Sequence, residues 1–345
     1  MIIEFNKLIL LGLLSLIVYF LNIKFYNLNH NTKFIHQKFS IDILGNPIGG
    51  YTIILFIILF KFYFSYLELL FLFLIFLSGI LSDIKLFNSP SKRLFFQILV
   101  ISLSVHFSNI EIISTKIIFF DYLLTNKIIN LVFTTFCILI VINGTNFIDG
   151  LNGLVTGYYL IVVIALLRLD LYIDYYFHSN LLINFSIILI ILLFVNFLNK
   201  VFLGDNGSYL LGFIFSIFLI RVHQINSDAS PYFVILLLWY PCFENLFSII
   251  RKRMSKVLAT NPDNNHLHQL LFFLFLKKLK IKKKLIANNL TSIVINTYNL
   301  FIFFIGLEKY DKTNIQILLI SINIIIYIFA YIYLFKFKKN FNYSN

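Results

Sequence analysis

Charge is scarce in this chain, and so is cysteine. Its 345 residues include fifteen acids, charged residues of both signs make up 12%, and hydrophobic residues make up 60%. Together with a mean hydropathy of +0.90, this excludes an ordinary soluble domain and points to a polytopic membrane protein. The two cysteines, Cys137 and Cys242, sit inside apolar runs, so no disulfide framework is expected and both read as small core residues. Period-2 alternation is missing from the apolar runs, which excludes a β-barrel and leaves helices as the spanning structure. No small-x-small cleavage site follows the apolar residues 8–21, and Glu4 precedes Lys7, so residues 1–25 read as a first span and not as a cleaved leader. A separate soluble domain, a low-complexity linker and a clear internal repeat are also missing. The chain 1–345 is therefore read as a single membrane-embedded domain.

What is present is a series of apolar runs. They fall at about 5–23, 47–64, 66–82, 94–110, 128–145, 151–168, 181–198, 209–224, 231–250, 286–306 and 314–336, and each approaches the ~20 residues that cross hydrocarbon as a helix. The expected fold is an all-α polytopic integral membrane helix bundle of about eleven transmembrane helices. Lys and Arg then set the orientation. Alternate connections carry Lys24 and Lys33, then Lys85, Lys92 and Arg93, then residues 251–284 with ten Lys or Arg against the single acid Asp263, and finally Lys336, Lys338 and Lys339. The opposite connections are balanced in charge, so the N-terminus is expected outside and the C-terminus in the cytoplasm. The net charge of +13 follows from this asymmetry and from attraction to anionic lipid, which removes the reason to expect nucleic acid as a partner. High Phe, Ile and Tyr content partly reflects compositional bias and carries no functional weight.

With that topology the polar islands all fall on the cytoplasmic side: Ser82 and Asp83, residues 146–152, residues 200–208, and His266 with His268 in the basic loop 251–285. An acid in hydrocarbon costs several kcal/mol, so acids beside spans are paired, interfacial or functional. Asp149 stands among amides and glycines. Gly204, Asp205, Asn206, Gly207 and Ser208 open a helix, whose N-terminus attracts phosphate, and an Asp there can ligate Mg²⁺. Each island alone is equally satisfied by a capped turn, Asp83 by an interfacial charge, and the histidines by an ordinary surface loop. For His266 and His268 no third metal ligand lies nearby, so phosphate recognition with Lys or Arg is the sharper reading. Taken together, the islands fit an enzyme that joins a cytoplasmic phosphorylated substrate to a lipid, or else a transporter. Transporters place their acids near the midplane on interrupted, repeated helices, and that favours the enzyme.

Three ordered motifs carry a resemblance. Asn146-Phe147-Ile148-Asp149-Gly150-Leu151-Asn152-Gly153-Leu154, Val201-Phe202-Leu203-Gly204-Asp205-Asn206-Gly207-Ser208 and Pro262-Asp263-Asn264-Asn265-His266-Leu267-His268 resemble those of the polyprenyl-phosphate N-acetylhexosamine-1-phosphate transferases. The resemblance extends from an early Gly-Gly element at 46–50 to about residue 271, leaving 286–336 as extra spans. It implies that a polyprenyl phosphate attacks the β-phosphorus of a UDP-N-acetylhexosamine with Mg²⁺, or Mn²⁺ in its place, and that UMP is released. The product would start a cell-envelope glycan such as a lipopolysaccharide O-antigen or a wall polymer, at the inner membrane with the site facing the cytoplasm. It further implies Asp205 as metal ligand and Asp83 and Asp149 as catalytic groups beside the lipid phosphate. Asn146 joins the nucleotide and sugar-phosphate site, Asn152 with Gly150 and Leu151 forms a uracil-reading edge, and Phe202 stacks on the base. His266 and His268, helped by Lys200 or Arg251, hold diphosphate or sugar, and a homodimer is compatible. The chain departs from the pattern where Ser82 replaces the first of two aspartates, Asn264 an arginine, Leu198-Asn199 a Pro-Ala pair, and Glu244 an aspartate. A phosphate monoester with a second pKa near 6 is already ionised at neutral pH, so the missing carboxylate need not be missed as a base.

Overall fold

The computed structural model describes residues 6–7, 9–15, 17, 46–87, 89–169, 179–226, 228–256, 264–281 and 283–343. Without water, backbone N–H and C=O groups must pair within their own segment, and the apolar runs accordingly fold as helices. A short strand β1 (Asn46–Pro47) leads into α1 (Gly49–Leu59), α2 (Tyr66–Asp83), α3 (Pro90–Phe107), α4 (Ile118–Leu124), α5 (Lys127–Ile148) and α6 (Leu154–Arg168). There follow α7 (Ser179–Phe197), strand β2 (Val201–Phe202), α8 (Gly204–Ile225), α9 (Pro231–Leu237), α10 (Trp239–Met254), α11 (Leu267–Lys277), α12 (Lys284–Leu307) and α13 (Thr313–Tyr343).

The protein is an all-α, multi-pass membrane protein. Among the described residues six helices, α2, α5, α7, α8, α12 and α13, are long and apolar enough to cross a membrane, and the bent pair α9 and α10 makes a seventh. Every expected span after the first overlaps a helix, 231–250 falling on the bent pair α9 and α10, while the first, 5–23, lies partly outside the described residues. The shorter count has a physical basis. Helix α1 has 11 residues and α6 has 15, rising only about 16 and 22 Å at 1.5 Å per residue, and α3 opens on Ser91, Lys92 and Arg93. The expected basic loop 251–285 is also interrupted by helix α11, whose Leu270, Phe272 and Phe275 are buried against α12 and α13. Its flanking lysines mask an apolar helix.

Between α9 and α10 the chain turns by 75°. Pro241 lies in the first turn of α10 and lacks the N–H that would reach the carbonyl of Leu237. Tyr158 of α6 supplies the replacement, its hydroxyl donating to the Leu237 carbonyl at 2.9 Å. Helix α8 is the centre of the bundle, with 72% of its apolar window buried and contacts to α1, α2 and α5. At its N-terminal end β1 and β2 pair in parallel, Asn46 opposite Val201 and Pro47 opposite Phe202. That pairing ties the early Gly-Gly element to the island at 200–208 and gathers the polar chain ends around the head of α8.

Candidate active site

The head of α8 is shaped by Gly204, whose φ of +73° is left-handed, a region open to glycine at little cost. A Cβ at this position would lie 2.8 Å from Cβ of Pro47 and 3.2 Å from Oδ2 of Asp83. The first turn of α8 therefore sits directly against β1 and the end of α2. Its N-cap residue, Leu203, offers no side-chain acceptor. Asp83 supplies one from α2: its Oδ1 accepts the Asp205 N–H at 3.0 Å and its Oδ2 accepts the Asn206 N–H at 3.1 Å, together with the Asn206 side-chain amide. Two orphan helix donors are satisfied, and the carboxyl oxygens of Asp83 face the positive end of the helix dipole. Asp83 thus has a structural task that its sequence position does not reveal. Asp83→Ala is expected to destabilise the detergent-solubilised protein by about 1–3 kcal/mol, the cost of leaving buried donors unpaired, read as a lower Tm; an unchanged Tm would rule out the cap.

Asp205, on the first turn of α8, points the other way. Its Oδ1 accepts from the Asn146 amide at 2.7 Å, and that amide also lies 3.1 Å from Oγ of Ser208. Its Oδ2 accepts from the Ser82 hydroxyl, from Nη1 of Arg93 at 3.4 Å and from the Tyr209 hydroxyl at 3.4 Å. Arg93 Nη1 also donates to Ser82 Oγ at 2.7 Å. The serine that replaces the first aspartate thus acts as a hydroxyl bridge between Arg93 and Asp205. By sequence Arg93 belongs only to the cytoplasmic charge excess, and its place in the site is missed. One signal was available: Arg93 is in the first turn of α3, where the helix dipole disfavours a cation, so its presence calls for an acidic partner.

Asp149 follows the last residue of α5 and receives a hydrogen bond from the Gly204 backbone. Burial raises its pKa well above the usual carboxylate range, and the charges of Asp205 and Asp83 raise it further. Three aspartates from three separate connections therefore share one corner. Beside them Gly150 leaves room for a histidine, since a Cβ there would stand 2.6 Å from Nε2 of His268. His268 is fully buried and both its ring nitrogens lack a hydrogen-bond partner. Burial holds its pKa down at about 3, so the ring is neutral at pH 7. It stacks on His266 with centroids 5.6 Å apart, and His266 in turn lies 5.5 Å from the ring of Phe147.

The remaining predicted residues spread outward from this corner. Leu151 is packed in the core. The Asn152 N–H is bound by Oδ1 of Asn288 at 2.8 Å, and its side-chain amide faces Asn199 at 3.4 Å. Phe202 lies in β2 and Lys200, just before it, is exposed. Nη2 of Arg251 donates to Ser248 at 3.3 Å. The basic residue turned inward is its neighbour Lys252, buried at 4% exposure, with Nζ 5.8 Å from the Phe147 ring. Sequence position within a run of three cations gives no means of choosing the buried one. Pro262 and Asp263 of the histidine motif lie outside the described residues.

Comparison with known proteins agrees with this geometry. Residues 65–223 match the family model of glycosyl transferase family 4, a stretch that holds Ser82, Asp83, Arg93, Asn146, Asp149 and Asp205. A protein of Bacillus subtilis (strain 168) named "Probable undecaprenyl-phosphate N-acetylglucosaminyl 1-phosphate transferase" is 34% identical over 134 residues, 36% of this chain and 36% of its own length. An undecaprenyl-phosphate alpha-N-acetylglucosaminyl 1-phosphate transferase of Thermotoga maritima is 29% identical over 133 residues, 37% of this chain and 38% of the relative. A decaprenyl-phosphate N-acetylglucosaminephosphotransferase of Mycobacterium tuberculosis is 28% identical over 149 residues, 37% of each chain. The alignments thus span little more than a third of these relatives. With its motifs in order, the chain is similar over residues 65–223 to glycosyl transferase family 4 and, over about a third of its length, to these polyprenyl-phosphate N-acetylglucosamine-1-phosphate transferases.

Proposed function

We propose that the protein transfers an N-acetylhexosamine 1-phosphate from a UDP-sugar to polyprenyl phosphate at the cytoplasmic face of the inner membrane, starting a lipid-linked envelope glycan. The observation that carries this reading is the corner shared by Asp83, Asp149 and Asp205, in which Arg93 reaches Asp205 and Ser82, with His268 beside Gly150. A lipid phosphate oxygen forms a bond to the β-phosphorus of the donor, the bond from that phosphorus to the bridging oxygen breaks, and UMP leaves with the electron pair. Two anions must approach each other in line, which asks for positive charge and fixed geometry more than for covalent chemistry. Arg93 supplies one such charge. His266 and His268 stand where the donor's diphosphate or sugar would extend past Gly150.

The donor set suits Mg²⁺, with Mn²⁺ as a substitute. Asp149 and Asp205 offer hard carboxylate oxygens, and Asp149 is raised in pKa first by burial and then by the charges of Asp205 and Asp83, which a bound cation would offset. Among the described residues no three His, Cys, Asp or Glu side chains form a complete cage, and Mg²⁺ commonly takes one or two carboxylates and fills its shell with substrate phosphates and water. Such a cation, held by Asp205 and Asp149, would supply positive charge against the diphosphate. Orientation with the N-terminus outside and a homodimer belong to the same proposal. The test is UMP release from membranes given polyprenyl phosphate and labelled UDP-GlcNAc, repeated with a panel of UDP-sugars. Asp205→Asn is expected to lower Mg²⁺-dependent release by about 10²–10³-fold. No UMP from any UDP-sugar with correctly inserted protein would sink the reading.

A further inference from the structure

The family match ends at residue 223, yet the last described helix, α13, reaches the histidine arm directly at one place and through Glu244 at another. Glu244 of α10 is 1% exposed. Its Oε1 lies 2.8 Å from Nδ1 of His266, and its Oε2 accepts the hydroxyl of Tyr327 at 2.7 Å. A buried carboxylate is tolerable only when its oxygens are paired, and here one partner is the histidine and the other comes from α13. Tyr327 is itself fixed edge-on between Phe243 and Phe247 of α10, with centroids 4.9 and 5.2 Å away. Three helical turns further along α13, a rise of about 16 Å, Nζ of Lys338 donates to the carbonyl of Asn264 and to Oδ1 of Asn265, both at 2.8 Å. Those two residues lead directly into His266. The arm is therefore held by α13 directly at its backbone side and through Glu244 at its ring side.

We infer that α13 is the positioning strut of the histidine arm, with Tyr327 and Lys338 as positioning residues that hold His266, and through its stacked ring His268, against Gly150. Neither residue touches the aspartate corner. A histidine that must meet a diphosphate needs its ring plane fixed, because a misplacement of about 1 Å can cost on the order of 100-fold in rate. The inference rests on the transferase reading for its kinetic arm and on geometry alone for the other.

Both arms use the full-length protein in detergent or nanodiscs. In the first, Asn264→Cys is placed in a Cys137→Ala, Cys242→Ala background and its labelling by a maleimide is timed. Lys338→Met is expected to accelerate labelling at least roughly fivefold through local opening, and Lys338→Arg to leave it near the parent rate. Equal rates for Met and parent overturn the inference whatever the enzyme does. In the second arm Tyr327→Phe, which leaves Glu244 Oε2 without its donor and so lowers Tm, is expected to lower kcat/KM for UMP release about 10-fold, but by less than about twofold in a His266→Ala background, because residues acting through one group are non-additive. The same 10-fold loss in both backgrounds would mean general packing and also overturns it. Faster labelling with no UMP release from any variant supports the strut and discards the transferase reading, so the two failures are separable.

Discussion

Asp149→Asn is expected to lower kcat/KM for UMP release by about 10²–10³-fold while leaving thermal stability unchanged or slightly higher. The two outcomes come from the same geometry. Asp83 accepts two backbone N–H groups and an amide, and Asp205 accepts from Ser82, Arg93, Asn146 and Tyr209. Asp149 accepts from the Gly204 backbone, and burial with the charges of Asp205 and Asp83 pushes its pKa upward. A carboxyl whose pKa is higher in the folded than in the unfolded chain begins to cost stability as pH rises past the unfolded value, and the full cost is present above the folded value. Neutralising Asp149 removes that cost at neutral pH, so a loss of rate cannot be blamed on unfolding. The replacement of the first aspartate by Ser82 strengthens the expectation, because one carboxylate fewer is present to hold positive charge. Near-normal UMP release from Asp149→Asn would remove Asp149 from the mechanism.

The second large effect is expected at Arg93. Arg93→Met should cut kcat/KM by about 10²-fold or more, the scale for losing one preorganised charge in phosphoryl transfer. The loss should be larger than for Arg93→Lys, because a guanidinium holds several oxygens in one plane and an ammonium does not. Arg93 already reaches Ser82 at 2.7 Å and Asp205 at 3.4 Å, so removing it also leaves Asp205 short of positive charge. With side chains of Arg93 and Asp205 29% and 28% exposed, the pair is open to a substrate, and solvent limits what the ion pair itself adds to stability. KM for polyprenyl phosphate should rise with little change in KM for the UDP-sugar if Arg93 faces the lipid phosphate. The reverse split would move it to the donor side.

Some of this site was legible early. Asp83, Asp149 and Asp205 stand at the ends of apolar runs in polar, glycine-bearing islands, and the alternation of basic and balanced connections places all three on one face. Arg93 and Lys252 were not legible as site residues, since a cation at a cytoplasmic helix end is ordinary and only the fold shows which one turns inward. The capping role of Asp83 was hidden for a different reason: its helix partner is more than a hundred residues away, and local capping patterns look within one turn. Helix α11 was hidden by its lysines, and the bend at Pro241 by the apolar residues on both sides of it.

Sequence by itself determined the membrane-embedded, all-helical class, because backbone that cannot bond to water must bond to itself and the apolar runs are too long for anything but helices. It also carried the resemblance to one transferase family, through three short motifs in a fixed order, and residues 65–223 match glycosyl transferase family 4. Tertiary structure alone decided how the acids divide their work. Which oxygen meets a helix N-terminus, which meets an arginine through a serine hydroxyl, and which is left with repulsion depends on the angles at which α2, α5 and α8 converge. The same holds for α13: Tyr327 and Lys338 are unremarkable on an apolar helix until that helix packs beside α10 and α11. Charge interactions in a crowded, low-dielectric corner vary steeply with distance, and distances between segments a hundred residues apart exist only once the chain has folded.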